Sequence, residues 1–237
     1  MQLSIITPTF NESLNVSKLI NSIEKALKIE DYEIIFVDDN SNDQTYAVIK
    51  NIAQSKNYIR CIRRIGRRGL SSAVIEGCLS SSSDFLLVID SDLQHDEKKI
   101  PTMLNLLKEK KLDLVIGSRF LNNKKTKGLS KIRNLLSNFA NYLANKISNA
   151  ELTDPMSGFF LIRRSVFDSL APKLSGLGFK ILLDIFSSAK VNIKFAEIHF
   201  NFKKRQYGES KLDSLVIWEY LLLLWECKFG KIIPSKF

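Results

Sequence analysis

The sequence predicts an α/β fold in which helices cover both faces of a mostly parallel central sheet. Two observations lead to this prediction. Short apolar runs alternate with stretches of helical periodicity in the first half of the chain, as in βαβ units. The run Phe85–Ile89 is apolar without alternation, as expected for a central strand buried on both faces. We therefore expect a doubly wound, Rossmann-like sheet.

The predicted elements follow one another in regular order. Leu3–Thr7 forms the first strand, and apolar residues between Val16 and Leu27 recur with the period of a helix. The other strands are predicted at Glu33–Val37, Ile59–Ile62, Phe85–Ile89, Leu112–Ile116 and Ile193–Phe200. The other helices are predicted from Asp43, as N-cap, to Ile52, and at Leu70–Cys78 and Ile100–Leu107.

Two carboxylates, Asp90 and Asp92, follow the central strand with one residue between them. Open α/β sheets bind ligands beyond the carboxyl ends of their strands. Carboxylate oxygens and the carbonyl of Gln94 are hard ligands that suit Mg²⁺ or Mn²⁺, and a bound diphosphate would complete the coordination. An isolated D-x-D is more often a solvated acidic turn, so the metal interpretation depends on the rest of the chain.

Further acidic residues, Glu12 and Asp39, follow the first two strands. Because parallel strands end at the same edge of a sheet, these carboxylates are predicted to line one site with Asp90 and Asp92. Such a site suits a nucleotide, whose base and ribose can donate to carboxylates. No G-x-G-x-x-G follows the first strand and no G-x-x-x-x-G-K-[ST] occurs, which disfavours a dinucleotide fold and a P-loop.

The charge of the chain is unevenly distributed. Residues 1–118 contain 15 Lys and Arg against 16 Asp and Glu, whereas residues 119–237 contain 20 against 9. A basic second half indicates contact with phosphate or an anionic membrane. No nucleic-acid-binding motif accompanies the charge, so we expect no nucleic acid partner. Three cysteines without metal spacing and the lack of a predicted signal peptide favour a cytoplasmic location.

Two amphipathic helices are predicted in this basic half. Apolar residues between Ile132 and Ile147 form a helical stripe, beside which Arg133 and Ser137 lie one turn apart and could grip a phosphate. The alternative is an ordinary surface helix. The run Leu215–Trp225 is too short to span a bilayer, and its aromatic residues with the lysines that follow suggest a helix lying on a membrane surface. Packing of that run on the domain is the alternative.

Several motifs resemble those of family 2 glycosyltransferases with a GT-A fold. The early ones are Pro8-Thr-Phe-Asn-Glu12, Val37-Asp-Asp-Asn-Ser41, Gly69-Leu-Ser-Ser-Ala73 and Asp90-Ser-Asp-Leu-Gln-His95. The later ones are more specific and resemble the polyprenol-phosphate (dolichol-phosphate) mannose synthases. These are Gly117-Ser-Arg119, Asp154-Pro-Met-Ser-Gly-Phe-Phe160, Gly178-Phe-Lys180 and Arg205-Gln-Tyr-Gly-Glu-Ser-Lys-Leu212.

The resemblance implies roles for individual residues. The nucleoside would be held by Pro8, Phe10, Glu12, Val37 and Asp39, with Glu12 at the ribose and Asp39 at the base. The metal would be bound by Asp90, Asp92 and Gln94, with the small Ser91 between the two carboxylates. The acceptor phosphate and the leaving group would be received by Arg119, Arg133, Ser137 and Arg205, and donor-side contacts would come from Lys180 and Lys211. A site of oxygen ligands does not require His95.

The resemblance also implies the reaction and its partners. A catalytic domain over residues 1–212 would transfer a hexose, in the first instance mannose from GDP-mannose, to a polyprenyl or dolichyl phosphate with inversion. The membrane-proximal segment 213–237, a partner or a segment outside this sequence would attach the chain to the cytoplasmic face of a membrane. UDP-glucose or another donor, a hydroxyl acceptor, and a basic membrane- or RNA-binding protein without catalytic activity remain alternatives.

Overall fold

A computed structural model describes residues 2–27, 31–121, 150–178, 180–189 and 192–205. In this part of the chain, seven strands form one sheet in the order β3-β2-β1-β4-β6-β5-β7. The strands are β1 Leu3–Thr9, β2 Tyr32–Asp38, β3 Ile59–Arg63, β4 Phe85–Val88, β5 Leu114–Ser118, β6 Phe160–Arg163 and β7 Phe195–His199. The predicted strands are therefore present, and β6 is an addition to them.

The described helices cover both faces of the sheet. They are α1 Ser13–Ala26, α2 Thr45–Ala53, α3 Leu70–Leu79, α4 Ile100–Glu109, α5 Arg164–Leu170 and α6 Ile181–Ser188, with 3₁₀ turns at Glu97–Lys99 and Ala171–Lys173. One prediction of a boundary is wrong. The N-cap of α2 is Gln44, which has a left-handed backbone, and Asp43 lies one residue earlier, where its Oδ1 accepts the Thr45 N–H at 3.1 Å.

Strand β6 accounts for the mixed character of the sheet. It pairs antiparallel with β4 on one side and with β5 on the other, whereas the remaining neighbours pair in parallel. The prediction of a mostly parallel sheet is confirmed, with β6 as the exception. Because β1, β2 and β4 are parallel and adjacent, the residues that follow them lie at one edge.

Both faces of the central strands are buried, as the continuous apolar runs require. Ile5 belongs to an apolar cluster with residues of α1 and α4, such as Ile23 and Leu107, on one face of the sheet. Its neighbour Ile6 belongs to a second cluster with Val74 of α3 and Leu182 of α6 on the other face. Successive strand residues point to opposite faces, so each strand contributes to both layers of the core.

Some predicted elements lie outside the described residues. These are the helix predicted between Ile132 and Ile147 and the membrane-proximal segment 213–237. Among the helices that the structure does describe, none combines the length and apolarity needed to cross a bilayer.

Candidate active site

The turn after β4 brings two carboxylates to the carboxyl edge of the sheet. Ser91 Oγ donates to the carbonyl of Pro8 at 3.1 Å, which attaches this turn to the end of β1. Leu93 has a left-handed backbone with φ 63°, and the N–H of Gln94 donates to Asp92 Oδ1 at 3.1 Å. These contacts fix the turn, so Asp90 and Asp92 are held at the edge where the sequence predicted them.

The carboxylate of Asp90 lacks a hydrogen-bond donor at one of its two oxygens within the described part of the chain. Its Oδ1 is buried and has no hydrogen-bond partner among the described residues. Burial and the neighbouring charge of Asp92 raise the pKa of Asp90, while Lys180, Arg119 and Arg205 act in the opposite direction. A buried carboxylate oxygen without a donor is costly unless a cation or a ligand binds it, so this atom is suited to a metal ion.

Arg205 bridges the two carboxylates that come from β1 and β4. Its guanidinium lies 2.7 Å from Asp92 Oδ2 and 3.6 Å from Glu12 Oε1. The preceding backbone is held as well, because the N–H of Lys203 donates to the carbonyl of Gln94 at 2.8 Å. Arg205 is thus brought to the acidic edge from a distant part of the chain.

Arg119, at the end of β5, is held by a buried acid. Its Nε and one terminal nitrogen each lie 2.7 Å from an oxygen of Asp154, whose side chain is fully buried. The backbone N–H groups of Thr153 and Asp154 donate in turn to the carboxylate of Glu197. The two hydrogen bonds from Arg119 to Asp154 orient the guanidinium plane. Burial alone would lower the pKa of Arg119, but these bonds and the charge of Asp154 raise it.

Lys180, the N-cap of α6, is the third cation near Asp90. Burial and the adjacent charge of Arg119 lower the pKa of Lys180 to about 8, while Asp154 and Asp90 oppose that shift. The cluster of Arg119, Lys180 and Arg205 therefore places positive charge around a pair of carboxylates. A diphosphate bound with a metal ion requires both kinds of group.

His95 is a neutral neighbour of Asp90. Its Nδ1 accepts the Asp90 N–H at 3.3 Å, and the ring stacks on Phe159 with centroids 5.3 Å apart. The pKa of His95 is lowered to about 3, mainly by burial and also by the charges of Arg119 and Lys203. The imidazole accordingly supports the turn after β4 through the Asp90 backbone without adding charge to the site.

The residues predicted to hold a nucleoside lie at or near the ends of β1 and β2. The guanidinium of Arg68 is 3.8 Å from the ring centroid of Phe10. Asp39 is buried, which raises the pKa of its carboxyl, and it accepts hydrogen bonds from Gly69 and Arg64. Val37 differs from its neighbours, because its side chain is fully buried in the apolar cluster that contains Val74 of α3.

The Nε2 of Gln94 donates to the carbonyl of Lys203 at 3.0 Å, so Oε1 is the side-chain atom left for a metal. The predicted residues Arg133, Ser137 and Lys211 lie outside the described residues.

Sequence reasoning assigned no role to Asp154, Gly158 or Arg64, although each contacts a predicted site residue. Asp154 and Gly158 belong to one of the late motifs, so their position was a usable signal. Arg64 shares its loop with Arg67 and Arg68, and the sequence does not distinguish the three arginines. The burial of Arg64 depends on tertiary contacts that no local pattern encodes.

Comparison with known proteins identifies the family. Residues 4–171 match the sequence profile of glycosyl transferase family 2. The chain belongs to this family. The glycosyltransferase is 37% identical over 241 residues to a dolichol-phosphate mannosyltransferase of Pyrococcus furiosus, covering 98% of this chain and 67% of that protein. It is 32% identical to a dolichol-phosphate mannosyltransferase of Saccharomyces cerevisiae, covering 97% of this chain and 89% of that protein.

Solved structures with the same architecture confirm the predicted GT-A-like fold of this glycosyltransferase. Glucosyl-3-phosphoglycerate synthase from Mycobacterium tuberculosis, in complex with Mn²⁺, UDP-glucose and phosphoglyceric acid, superposes with a TM-score of 0.71 at 17% identity, covering 95% of this chain and 79% of that chain. Residues 1–349 of S. aureus TarS, in complex with UDP-GlcNAc, give a TM-score of 0.66 at 15% identity, covering 99% and 68%.

Proposed function

We propose that this glycosyltransferase transfers mannose from GDP-mannose to a polyprenyl or dolichyl phosphate, using a divalent cation and inverting the anomeric carbon. The observation that carries the proposal is the grouping of Arg119, Lys180 and Arg205 around Asp90 and Asp92. In the proposed reaction a nucleotide sugar and a lipid phosphate meet at this site. Both carry negative charge, so the acidic pair alone would repel them and the three cations are needed. The two relatives named dolichol-phosphate mannosyltransferase supply the choice of sugar and acceptor.

The donor set fits a hard divalent cation such as Mg²⁺ or Mn²⁺. Asp90 Oδ1 and the carboxylate of Asp92 would bind it, with Gln94 Oε1 as a further ligand. No group of three or more His, Cys, Asp or Glu side chains that could enclose a metal occurs in the described part of the chain, so the diphosphate would supply the other oxygens. When bound, the cation would neutralise charge on the departing diphosphate.

The residues of the chain would do the rest by binding and orientation. Lys180 and Arg205 are suited to hold the diphosphate, and Arg119, fixed by Asp154, is suited to hold the acceptor phosphate. A phosphate acceptor is already ionised near neutral pH, so the attack needs no general base. In-line attack on an α-linked donor would give a β-linked lipid phosphate. Arg133, Ser137 and Lys211 are proposed to complete these contacts.

The test of the donor is a panel of nucleotide sugars assayed with a polyprenyl phosphate and Mn²⁺, scored for labelled lipid. GDP-mannose should give the product, and Asp92→Asn should remove most of the activity, since it deletes one charge of the acidic pair. Asp168→Asn is the matched control, because Asp168 is an exposed carboxylate on α5 that pairs only weakly with Arg164, at 3.6 Å. A product formed only with UDP-sugars would refute the choice of donor and leave glycosyl transfer intact.

The acceptor is tested separately. Arg133→Ala should raise the KM for the lipid phosphate by about ten- to a hundredfold, the size of one charged hydrogen bond, with a much smaller effect on the donor. A hydroxyl-bearing lipid in place of the phosphate should give no product. Efficient transfer to that hydroxyl would favour the other acceptor class and would require a catalytic base that this proposal omits.

A further inference from the structure

Arg64 is the most deeply buried cation of the described chain. Its side chain is 1% exposed and ranks among the largest fully buried side chains. It stands directly after β3, in a loop whose other arginines are exposed. Because burying a guanidinium is costly unless its donors are satisfied, such a position requires a specific set of acceptors.

Those acceptors come from three elements. Arg64 Nε donates to Asp39 Oδ1 at 2.7 Å, and its terminal nitrogens donate to Ser72 Oγ at 2.9 Å and to the carbonyl of Gly69 at 3.0 Å. Its backbone N–H donates to the carbonyl of Asp38 at 2.8 Å. One side chain thereby joins the end of β2, the end of the loop and the first turn of α3.

The other oxygen of Asp39 is held as well. The N–H of Gly69 donates to Oδ2 at 2.8 Å, with Gly69 at φ +144°, a conformation that side-chain-bearing residues rarely adopt. Each carboxylate oxygen therefore has one donor from the protein and retains acceptor capacity toward a ligand. The plane of the carboxylate is fixed at both of its oxygens.

We propose that Arg64 is a positioning residue that presents both oxygens of Asp39 to two adjacent N–H groups of a nucleobase, and thereby selects guanine over uracil. This inference rests on the proposed function, in which Asp39 receives the base. Guanine carries two neighbouring donors on its pairing edge, whereas uracil carries one N–H flanked by two carbonyl acceptors. A carbonyl facing a fixed carboxylate oxygen is repelled, so a rigid Asp39 discriminates between the bases and a mobile one does not.

Phe10 and Arg68 form a flat surface beside Asp39, which we call the stacking surface because a nucleobase could stack on it. Its position depends on the same contacts. Arg68 precedes Gly69 and lies 3.8 Å from the ring centroid of Phe10. Because Arg64 binds the Gly69 carbonyl and Asp39 binds the Gly69 N–H, both sides of that residue are held. The base edge and the stacking surface are thus fixed relative to each other by one buried guanidinium.

The experiment measures binding of GDP and UDP, each with Mn²⁺, to the full chain by calorimetry. We expect Arg64→Lys to weaken GDP binding by about tenfold or more, since lysine keeps the charge but cannot reach three acceptors in one plane. UDP binding should change by less than about threefold, because one hydrogen bond tolerates a mobile carboxylate. Arg67→Met is the matched control, as the exposed Arg67 contacts Glu76 and should leave the ratio of the two affinities unchanged.

A second variant covers the case in which Arg64→Lys fails to fold. Ser72→Ala removes only one acceptor of Arg64 and should lower the GDP preference by a smaller factor, with the thermal midpoint measured in parallel. A wild-type preference for GDP that persists in folded Arg64→Lys and in Ser72→Ala would overturn the inference and leave the proposed function standing. A wild-type chain that binds neither nucleotide, or prefers UDP, would overturn both the inference and the choice of donor.

Discussion

The carboxylate of Asp90 lies directly against the Cα of Gly158. A Cβ atom at position 158 would stand 2.8 Å from Asp90 Oδ2 and 3.0 Å from Oδ1. Real Cβ atoms essentially never approach an oxygen so closely, so any side chain at this position must displace the carboxylate. The late motif that contains Gly158 is therefore in contact with the acidic pair after β4.

Gly158→Ala should weaken Mn²⁺ binding and lower activity by about tenfold or more, because the added methyl group moves the Asp90 carboxylate from its position. Binding of Mn²⁺ can be followed by electron paramagnetic resonance of the free ion. Gly77→Ala is the control, since its Cβ would meet Ile6 and Val37 in the core. That variant should lose about 1–3 kcal/mol of stability through overpacking and keep its metal affinity. Equal metal affinity in both variants would contradict this assignment.

Asp154→Asn should raise the KM for the lipid phosphate more than the KM for the nucleotide sugar. The substitution removes the charge that holds the Arg119 guanidinium at two points, each at 2.7 Å. A charged hydrogen bond contributes about 1.5–3 kcal/mol, so an effect of at least tenfold is expected. Steady-state kinetics with each substrate varied in turn measures it, with Asp168→Asn as a surface control. An equal rise in both KM values would argue for a general structural defect.

Metal binding should depend on pH because the carboxyl of Asp90 titrates near neutrality. Burial and the charge of Asp92 raise the pKa of Asp90 to about 7 in the absence of a metal. Below that pH the carboxyl holds a proton that a cation must displace, so Mn²⁺ affinity should fall as the pH drops from about 8 to about 5.5. Calorimetry in two buffers of different ionisation enthalpy should detect proton release near pH 6.5. Constant affinity across this range would refute the prediction.

The segment 213–237 is predicted to bind anionic membranes. The wild-type chain should sediment with acidic liposomes at low salt and dissociate partly as salt rises from about 0.1 to 1 M, because the Debye length falls from about 10 to 3 Å. Trp218→Ser/Trp225→Ser should reduce the fraction that resists salt. Failure of both proteins to sediment at low salt would assign the aromatic run to packing within the protein.

The sequence predicted the fold where the signal was local. Continuous apolar runs identified β1, β2 and β4 to within two residues at each end, because a strand buried on both faces needs such runs. Strand β6 was missed, although Phe159–Ile162 is an apolar run of the same kind. Its antiparallel insertion between β4 and β5 depends on pairing between distant segments, which composition and periodicity do not specify.

For the site, residue types at strand ends predicted the acidic edge well, since parallel strands place their carboxyl ends together. The positions of Asp90, Asp92 and Glu12 follow from that rule. The same rule could not distinguish Arg64 from its neighbours Arg63 and Arg67. Arg64 is buried by tertiary contacts with Asp39, Gly69 and Ser72, which the local sequence does not encode.

The insertion of β6 has a consequence for synthesis and folding. Until Phe160–Arg163 has left the ribosome, β4 has a neighbour only on the β1 side and exposes a row of unpaired backbone groups on Phe85–Val88. Those four residues are apolar, so β4 would be an exposed, aggregation-prone edge strand until β6 pairs with it. We therefore expect the unfinished chain to be prone to aggregation at this edge, and pairing of such distant segments to slow folding.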